Sequence, residues 1–380
     1  MSSLLTGPFL RITLANFFFF MNFASFFLLP LHVKALGGSE ATVGAVMGTA
    51  GLASFLVLPA VALMIDRLGR RRFLMFGAVC MTVASAGYLV VDRIAALFIL
   101  RALQGVSFAA AFTATTAFAA EFAPPERRAQ ALGFFGLSTL LTHAIAPALG
   151  EEIIHRSGFQ TLFAISTLYT ATVLILGVRL PGRPITAAVA ADATAPRTDR
   201  LQWVIAATML LAGMGFGTVM TFIPTYVRGE ALGRVTFFFA AYTGAAILTR
   251  VVGAGLSDSL GRRRVILPTF LLLALSIFVL ALAHSVPVLV LAGMLFGSAQ
   301  GISYPTMHAL LVDLTRSADL GRAQAIFNGS FNLGVTSSAF VFGMVAEHYG
   351  HRPMFALASL TPVAAWMVFY LFGRSTAARV

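Results

Sequence analysis

Charge is what this sequence has least of. Only 11% of its 380 residues are Asp, Glu, Lys or Arg, and 58% are hydrophobic. Soluble domains carry about 25% charged residues, so a water-soluble globular chain is excluded. Cysteine is nearly absent. The one thiol, Cys80, lies inside an apolar run, so neither an intramolecular disulfide nor a cysteine-based metal site is available, and no other metal site is expected. Missing as well are a phosphate-cradling glycine loop ending in Lys-Ser/Thr, a His-Glu-x-x-His helix and a Gly-x-Ser-x-Gly turn. Enzymatic readings and a nucleotide-driven pump within this chain therefore find no support. Acidic residues number 14 against 26 basic ones, a net charge of +12. That excess does not mark a nucleic-acid-binding surface, because the basic residues sit in short clusters between apolar runs of about 20 residues.

What is present is a series of runs of membrane-crossing length. A hydrocarbon core about 30 Å thick needs about 20 apolar residues at the helical rise of about 1.5 Å. Residues 12–33, 41–65, 73–91, 102–120, 129–150, 157–178, 201–227, 323–346 and 353–373 meet that length. The run 265–312 is far too long for one crossing and is divided by His284-Ser285-Val286-Pro287, while 235–257 qualifies once Arg250 is tolerated. The fourth span begins near Ile94, upstream of Arg101. The expectation is an all-α membrane protein of twelve helices. With both ends of the chain in the cytoplasm, 18 of the 26 basic residues fall inside, six outside and two, Arg101 and Arg250, within spans. This bias is the one expected in a bacterial cytoplasmic (inner) membrane. The first span is too long for a signal-peptide core and no small-residue cleavage site follows it, so no cleavable signal is expected.

Residues 181–200, rich in Ala, Pro and Thr, read as a flexible cytoplasmic linker between six-helix bundles at 1–180 and 201–380. The halves repeat. Phe27 to Val33 answers to Thr221 to Val227, each with a central proline, at an offset of 194; Asp66, Gly69 and Arg70 answer to Asp258, Gly261 and Arg262 at 192. Gln104-Gly105 matches Gln300-Gly301 at 196, and Arg128-Ala129-Gln130-Ala131 matches Arg322-Ala323-Gln324-Ala325 at 194. Two parallel halves about an axis along the membrane normal are expected, with a site near the midplane.

The run Ala62-Leu63-Met64-Ile65-Asp66-Arg67-Leu68-Gly69-Arg70-Arg71 resembles the loop motif after the second helix of the major facilitator superfamily, Gly-x-Leu-Gly/Ala-Asp-Arg-x-Gly-Arg-Arg. Its charged half is intact, with Ala62 and Ile65 in place of smaller residues; the repeat copy, Ala254 to Arg263, has Ser259 where a base is usual. Arg101-Ala102-Leu103-Gln104-Gly105 is similar to that family's Arg-x-x-x-Gly motif, and Gly133 to Glu151 partly resembles a glycine-rich antiporter motif, keeping Gly133, Pro147 and Gly150. The resemblance covers essentially the whole chain. It implies a secondary active transporter working by alternating access, similar to bacterial drug and sugar (arabinose-type) efflux permeases. It also implies a cytoplasmic latch of Asp66, Arg67, Gly69 and Arg70 with Asp258, Gly261 and Arg262, each Asp facing a helix start near Ala323 or Ala129. Glu121 and Asp313, at matching repeat positions, are expected to join that network. An uptake symporter, a lipid flippase and a transporter-derived sensor share the fold.

Coupled transport needs a group that titrates in the pathway. Arg101, about eight residues from the outer end of its helix, is too deep for a casual surface charge, and His143 and Glu151 lie in the fifth span two turns apart. These three are the proton-coupling candidates, with a proton gradient as energy source and no cofactor. His32 and His308 read as interfacial. Asn16, Asn22, Gln104, Tyr226, Gln300, Tyr304, Asn328 and Asn332 supply neutral hydrogen-bonding groups on helices that line the family's cavity. The first and seventh spans carry no carboxylate, which favours neutral, zwitterionic or anionic ligands. The 35 phenylalanines are expected mostly at the lipid-facing surface, with at least one ring of Phe17 to Phe20 turned inward. The partners implied are a small-molecule substrate, protons and the bilayer, with no nucleic acid and a monomeric protein.

Overall fold

Each apolar run becomes a helix, because a backbone in lipid must satisfy its polar groups within one segment. The computed structural model describes residues 6–123, 127–180, 200–253, 255–316 and 319–373, and among these there is no strand. The first part holds α1 (Gly7–Ser25), continued through a tight turn at Phe26–Leu28 into α2 (Leu29–Ala35), then α3 (Glu40–Leu68), α4 (Arg70–Gly87), α5 (Ile94–Phe122) and α6 (Arg128–Val178). The second holds α7 (Arg200–Gly229), α8 (Val235–Val252), the short α9 (Leu256–Leu260), α10 (Arg262–Ala281), α11 (Val286–Leu314), α12 (Leu320–Tyr349), α13 (His351–Ala358) and α14 (Leu360–Phe372). Among the described residues, ten rods are long and apolar enough to cross a membrane. The rod ending at Val178 is interrupted at Gly158, and α4 is a further 18-residue rod with Arg70, Arg71 and Arg72 in its first turn. Twelve spans are expected only when the one is divided and the other included.

The break at Gly158 differs from the boundary read from hydropathy. The fifth rod runs on through Glu151 and Glu152, helped by the Glu152–Arg156 pair one turn apart, and stops only where Gly158 takes φ +78°. Glu151 and Glu152 are thus helical residues rather than loop residues.

Positive-φ glycines carry the repeat in the backbone. Gly37 and Gly233, Gly69 and Gly261, Gly158 and Gly350 have φ values of +83 and +90°, +92 and +87°, and +78 and +80°. Their numbers differ by 196, 192 and 192. One pairing is corrected. Gly105 lies so close to α3 that a Cβ would meet the Ala50 carbonyl, and the residue in that situation in the second half is Gly297, against the Tyr242 carbonyl. The structural offset here is 192, so the Gln104–Gln300 match is displaced by about one helical turn, and the position matching Arg101 is Gly293.

By contact the chain divides into two units, Met1–Gly38 with Thr49–Val189, and Ser39–Gly48 with Ala190–Val380. In the first, α1 packs on α6 and α5, and α4 on α5 and α6, around Phe19, Phe20, Leu74, Met81, Phe118 and Val173. In the second, α7 packs on α12 and α14, and α8 and α10 on α11, around Ile205, Met209, Phe270, Met307, Phe327 and Phe369. The phenylalanines were misplaced by composition alone. Apart from Tyr88 and Tyr226, the largest fully buried side chains are all phenylalanines, including Phe9, Phe19, Phe238 and Phe296. Lipid is as apolar as a protein core, so ring packing rather than hydrophobicity decides which face a ring takes. Leu56, Leu63 and Ile99 form part of the exposed apolar surface instead.

Candidate functional site

Hydroxyl and amide groups can sit in these helices because each finds an acceptor nearby. Thr82, Thr113, Thr167, Thr208, Thr218 and Thr249 all donate to the carbonyl four residues earlier on their own helix. The amides of α1 go further and join helices. Asn16 donates from Nδ2 to Thr139 Oγ1 at 2.7 Å and Ser138 Oγ at 3.3 Å, and its Oδ1 accepts from Thr115 at 3.3 Å. Asn22 donates to Ser85 Oγ and the Ser166 carbonyl, both at 2.7 Å. Both amides are fully buried, so the structure makes them interhelical staples, where the sequence had placed them on a cavity wall.

Arg101 is buried in α5, and its guanidinium donates to Gln104 Oε1 at 2.8 Å, one turn on. Tyr88 donates to the same oxygen at 3.4 Å. Gln104 Nε2 is buried and has no acceptor among the described residues. Tyr88 packs on Phe26 and Phe163, with ring centroids at 4.9 and 5.1 Å, and the His32 ring lies 5.1 Å from Phe163 and 4.9 Å from Phe159. His32 is therefore an aromatic-packed residue rather than a purely interfacial one. The His143 ring is half-buried and packs on Phe27 at 5.3 Å, and Glu151 is half-buried two turns along the same helix. This unit thus offers a buried cation whose neighbour Gln104 presents a second donor. Such a group attracts carboxylate, carbonyl or other acceptor oxygens.

In the other unit Tyr304 donates to Asn328 Oδ1 at 2.7 Å, and Arg250 of α8 acts electrostatically on both Tyr242 and Tyr304. Gln300 is buried, Asn332 is exposed, and His308 packs on Phe327 at 5.6 Å. Tyr226 is not a cavity residue. It is fully buried, and its hydroxyl donates to the Leu280 and Ala283 carbonyls at 2.8 and 3.0 Å, closing the end of α10.

The loop-motif arginines pair with Glu121 and Asp313, inside each unit. Arg70 bonds Glu121 at 2.6 Å and the Ala117 carbonyl at 3.2 Å; Arg262 bonds Asp313 at 3.0 Å and Ser257 at 2.7 Å. Both arginines stand at a helix start, the unfavourable end for a cation, which an adjacent carboxylate offsets. Arg67 is exposed, and the side chains of Asp66, Asp258 and Ala129 lie outside the described residues, as does the linker between Leu180 and Arg200.

One cluster escaped the sequence reading. At the start of α3, Ser39 caps the helix by accepting from the Thr42 amide, and Glu40 follows in the first turn. Glu40 Oε2 lies 3.3 Å from His351 Nε2 and accepts from Thr225 Oγ1 at 3.2 Å; Thr225 Oγ1 and His351 Nε2 are 3.1 Å apart. Glu347 Oε2 accepts from the backbone amides of Glu40 and Ala41 at 2.7 and 3.4 Å. The cap signal at Ser39 was available, but nothing local links position 40 to a partner 307 residues later.

A family model described as Major Facilitator Superfamily matches residues 12–238 and 205–380. The chain is similar to the staphylopine export protein of Staphylococcus aureus, 21% identical over 393 residues that cover 98% of this chain and 97% of that one. It is also similar to the multi-drug resistance efflux pump PmrA of Streptococcus pneumoniae, 25% identical over 348 residues and 87% of each chain. Its fold is that of the nucleoside transporter NupG, with a TM-score of 0.80 at 14% identity over 96% of this chain and 100% of that one.

Proposed function

The chain belongs to the Major Facilitator Superfamily, and from that premise we propose that it exports a small organic solute in exchange for protons. It is an integral membrane protein and a secondary transporter, not an enzyme. The observation that carries export is the near full-length similarity to two exporters, staphylopine export protein and PmrA. Proton coupling is supported by ionisable groups within membrane-spanning helices, namely Arg101, His143 and Glu151, since such groups are expensive in lipid and are kept for function. The donors around Gln104 favour a substrate that offers acceptor oxygens, a drug, sugar or metabolite bearing a carbonyl or carboxylate. In this reading the protein works as a monomer in a bacterial inner membrane, both termini cytoplasmic, with the proton gradient as its energy source and no bound cofactor.

The test uses everted vesicles energised to an acidic interior, in which adding substrate collapses the pH gradient if the two fluxes are coupled. Wild-type protein is expected to dissipate the gradient, and Arg101→Ala, His143→Ala and Glu151→Gln to weaken that response. Three variants indistinguishable from wild type would move proton coupling to other residues. Gradient-driven uptake in right-side-out vesicles would make the protein a symporter. Asp66→Asn should slow turnover without loss of folded protein, because the family resemblance makes that aspartate part of a latch; unchanged turnover would remove that role.

A further inference from the structure

We propose that Glu40, Thr225 and His351 form a proton-binding site whose occupancy holds the first turns of α3 against α12. Three side chains from three elements meet there, with every pair of polar atoms between 3.1 and 3.3 Å apart. The side chains of His351 and Glu40 are 15% and 10% exposed, enough for a proton to arrive from water and too little for water to screen the pair fully. With the imidazole protonated, Nε2–H is a charged donor between the carboxylate of Glu40 and the hydroxyl of Thr225. Loss of that proton removes the positive charge that His351 brings to the cluster.

The surroundings decide the consequence. Glu347, from the end of α12, caps α3 through the Glu40 and Ala41 amides, so two carboxylates share one helix start. Arg352, next to His351, is engaged with Glu230 of α7 at 2.8 Å, and His348 of α12 is exposed with its Nδ1 on the Met344 carbonyl. Tyr226 touches the His351 ring at 5.7 Å, but its hydroxyl is committed to the end of α10. Among these neighbours His348 and His351 are of the type that changes charge between about pH 5 and 8, and His351 is the one that lies against Glu40 and Thr225. Below that range His351 and Glu40 are a paired cation and anion; above it, Glu40 keeps the Thr225 hydroxyl but loses the charge of His351, while Glu347 stays on the same helix start.

The seam that this cluster closes is tightly packed. A Cβ on Gly44 would meet the Ala339 carbonyl, and one on Gly343 would lie 3.1 Å from the Glu40 carbonyl, so α3 and α12 touch backbone to backbone. Such seams depend on close van der Waals contact, and a charged pair at their mouth shifts the balance between docked and released states. Under the topology proposed above the site lies at the outer end of the helices, where protons enter an exporter of this kind. Its role in transport rests on the proton-coupled reading, whereas the site itself does not.

Hydrogen–deuterium exchange of purified protein in lipid nanodiscs tests it, with labelling times scaled to the chemical exchange rate at each pH and peptides from α8 as internal reference. Between about pH 6 and about pH 8 the amides of Ser39–Gly48 should lose about tenfold in protection in the wild type. Glu40→Gln and His351→Gln, which keep size and hydrogen bonding, should each make that segment's protection independent of pH. Wild-type protection that ignores pH, or variants that keep the wild-type dependence, would overturn the site. Efflux is followed in parallel. A wild type that shows the pH-dependent protection but transports without regard to the pH gradient would support the site and sink the coupled mechanism.

Discussion

At the residue scale the informative side chains are those that the bilayer makes expensive. Asn16 could have faced a substrate, yet it is fully buried and joins α1 to α5 and α6. The two roles separate by experiment. Ser138 and Thr115 each keep a second bond to a carbonyl of their own helix, Phe135 and Phe112, so removing the amide leaves them partly satisfied. Asn16→Ala should therefore destabilise the fold by about 1–2 kcal/mol, seen as a lower thermal midpoint in detergent, with substrate affinity in the surviving protein unchanged. A loss of affinity at unchanged stability would return Asn16 to the binding site. Arg101 differs, because its neighbour Gln104 retains a buried donor without an acceptor.

Elements are set by where helices stop, and here glycine stops them. Gly158 combines φ +78° with ψ 177°, a region that side-chain-bearing residues avoid. Gly158→Ala should destabilise the protein by about 1–3 kcal/mol. Gly133 lies in the middle of the same rod, exposed and with open space where a Cβ would go. Gly133→Ala should instead stabilise by about 0.5–1 kcal/mol, since alanine loses less backbone freedom in a helix. Comparing the two unfolding midpoints checks the assignment: equal shifts would mean that the rod does not turn at Gly158.

On the scale of the whole molecule, the distribution of arginine predicts which ends of the helices face the cytoplasm. In a Cys80→Ser background, a cysteine at Ser157 should react with an impermeant maleimide added outside intact cells, and one at Ser259 only after the membrane is opened. Labelling of both from the same side would overturn the topology. Both positions stand at helix ends, Ser157 just before the Gly158 turn and Ser259 in α9.

The positions of the helices were legible in the sequence because crossing length is a local property: about 20 apolar residues in a row make a span wherever they occur. The repeat was legible for a similar reason, since turn glycines such as Gly69 and Gly261 must be glycines to adopt φ near +90°. The matching positions of Glu121 and Asp313 were legible from that repeat, while their pairing with Arg70 and Arg262 came from the structure. Tertiary structure alone decided which apolar faces turn inward, because lipid gives hydrophobicity no gradient between core and surface; the buried phenylalanines are the result. It also decided register, since Gly105 and Gly297 are equivalent by the carbonyls they approach and not by the glutamines beside Gly105 and Gly301. And it alone brought Glu40 to Thr225 and His351, because a contact between residues so distant in sequence depends on how α3, α7 and α13 are stacked, which no local pattern encodes.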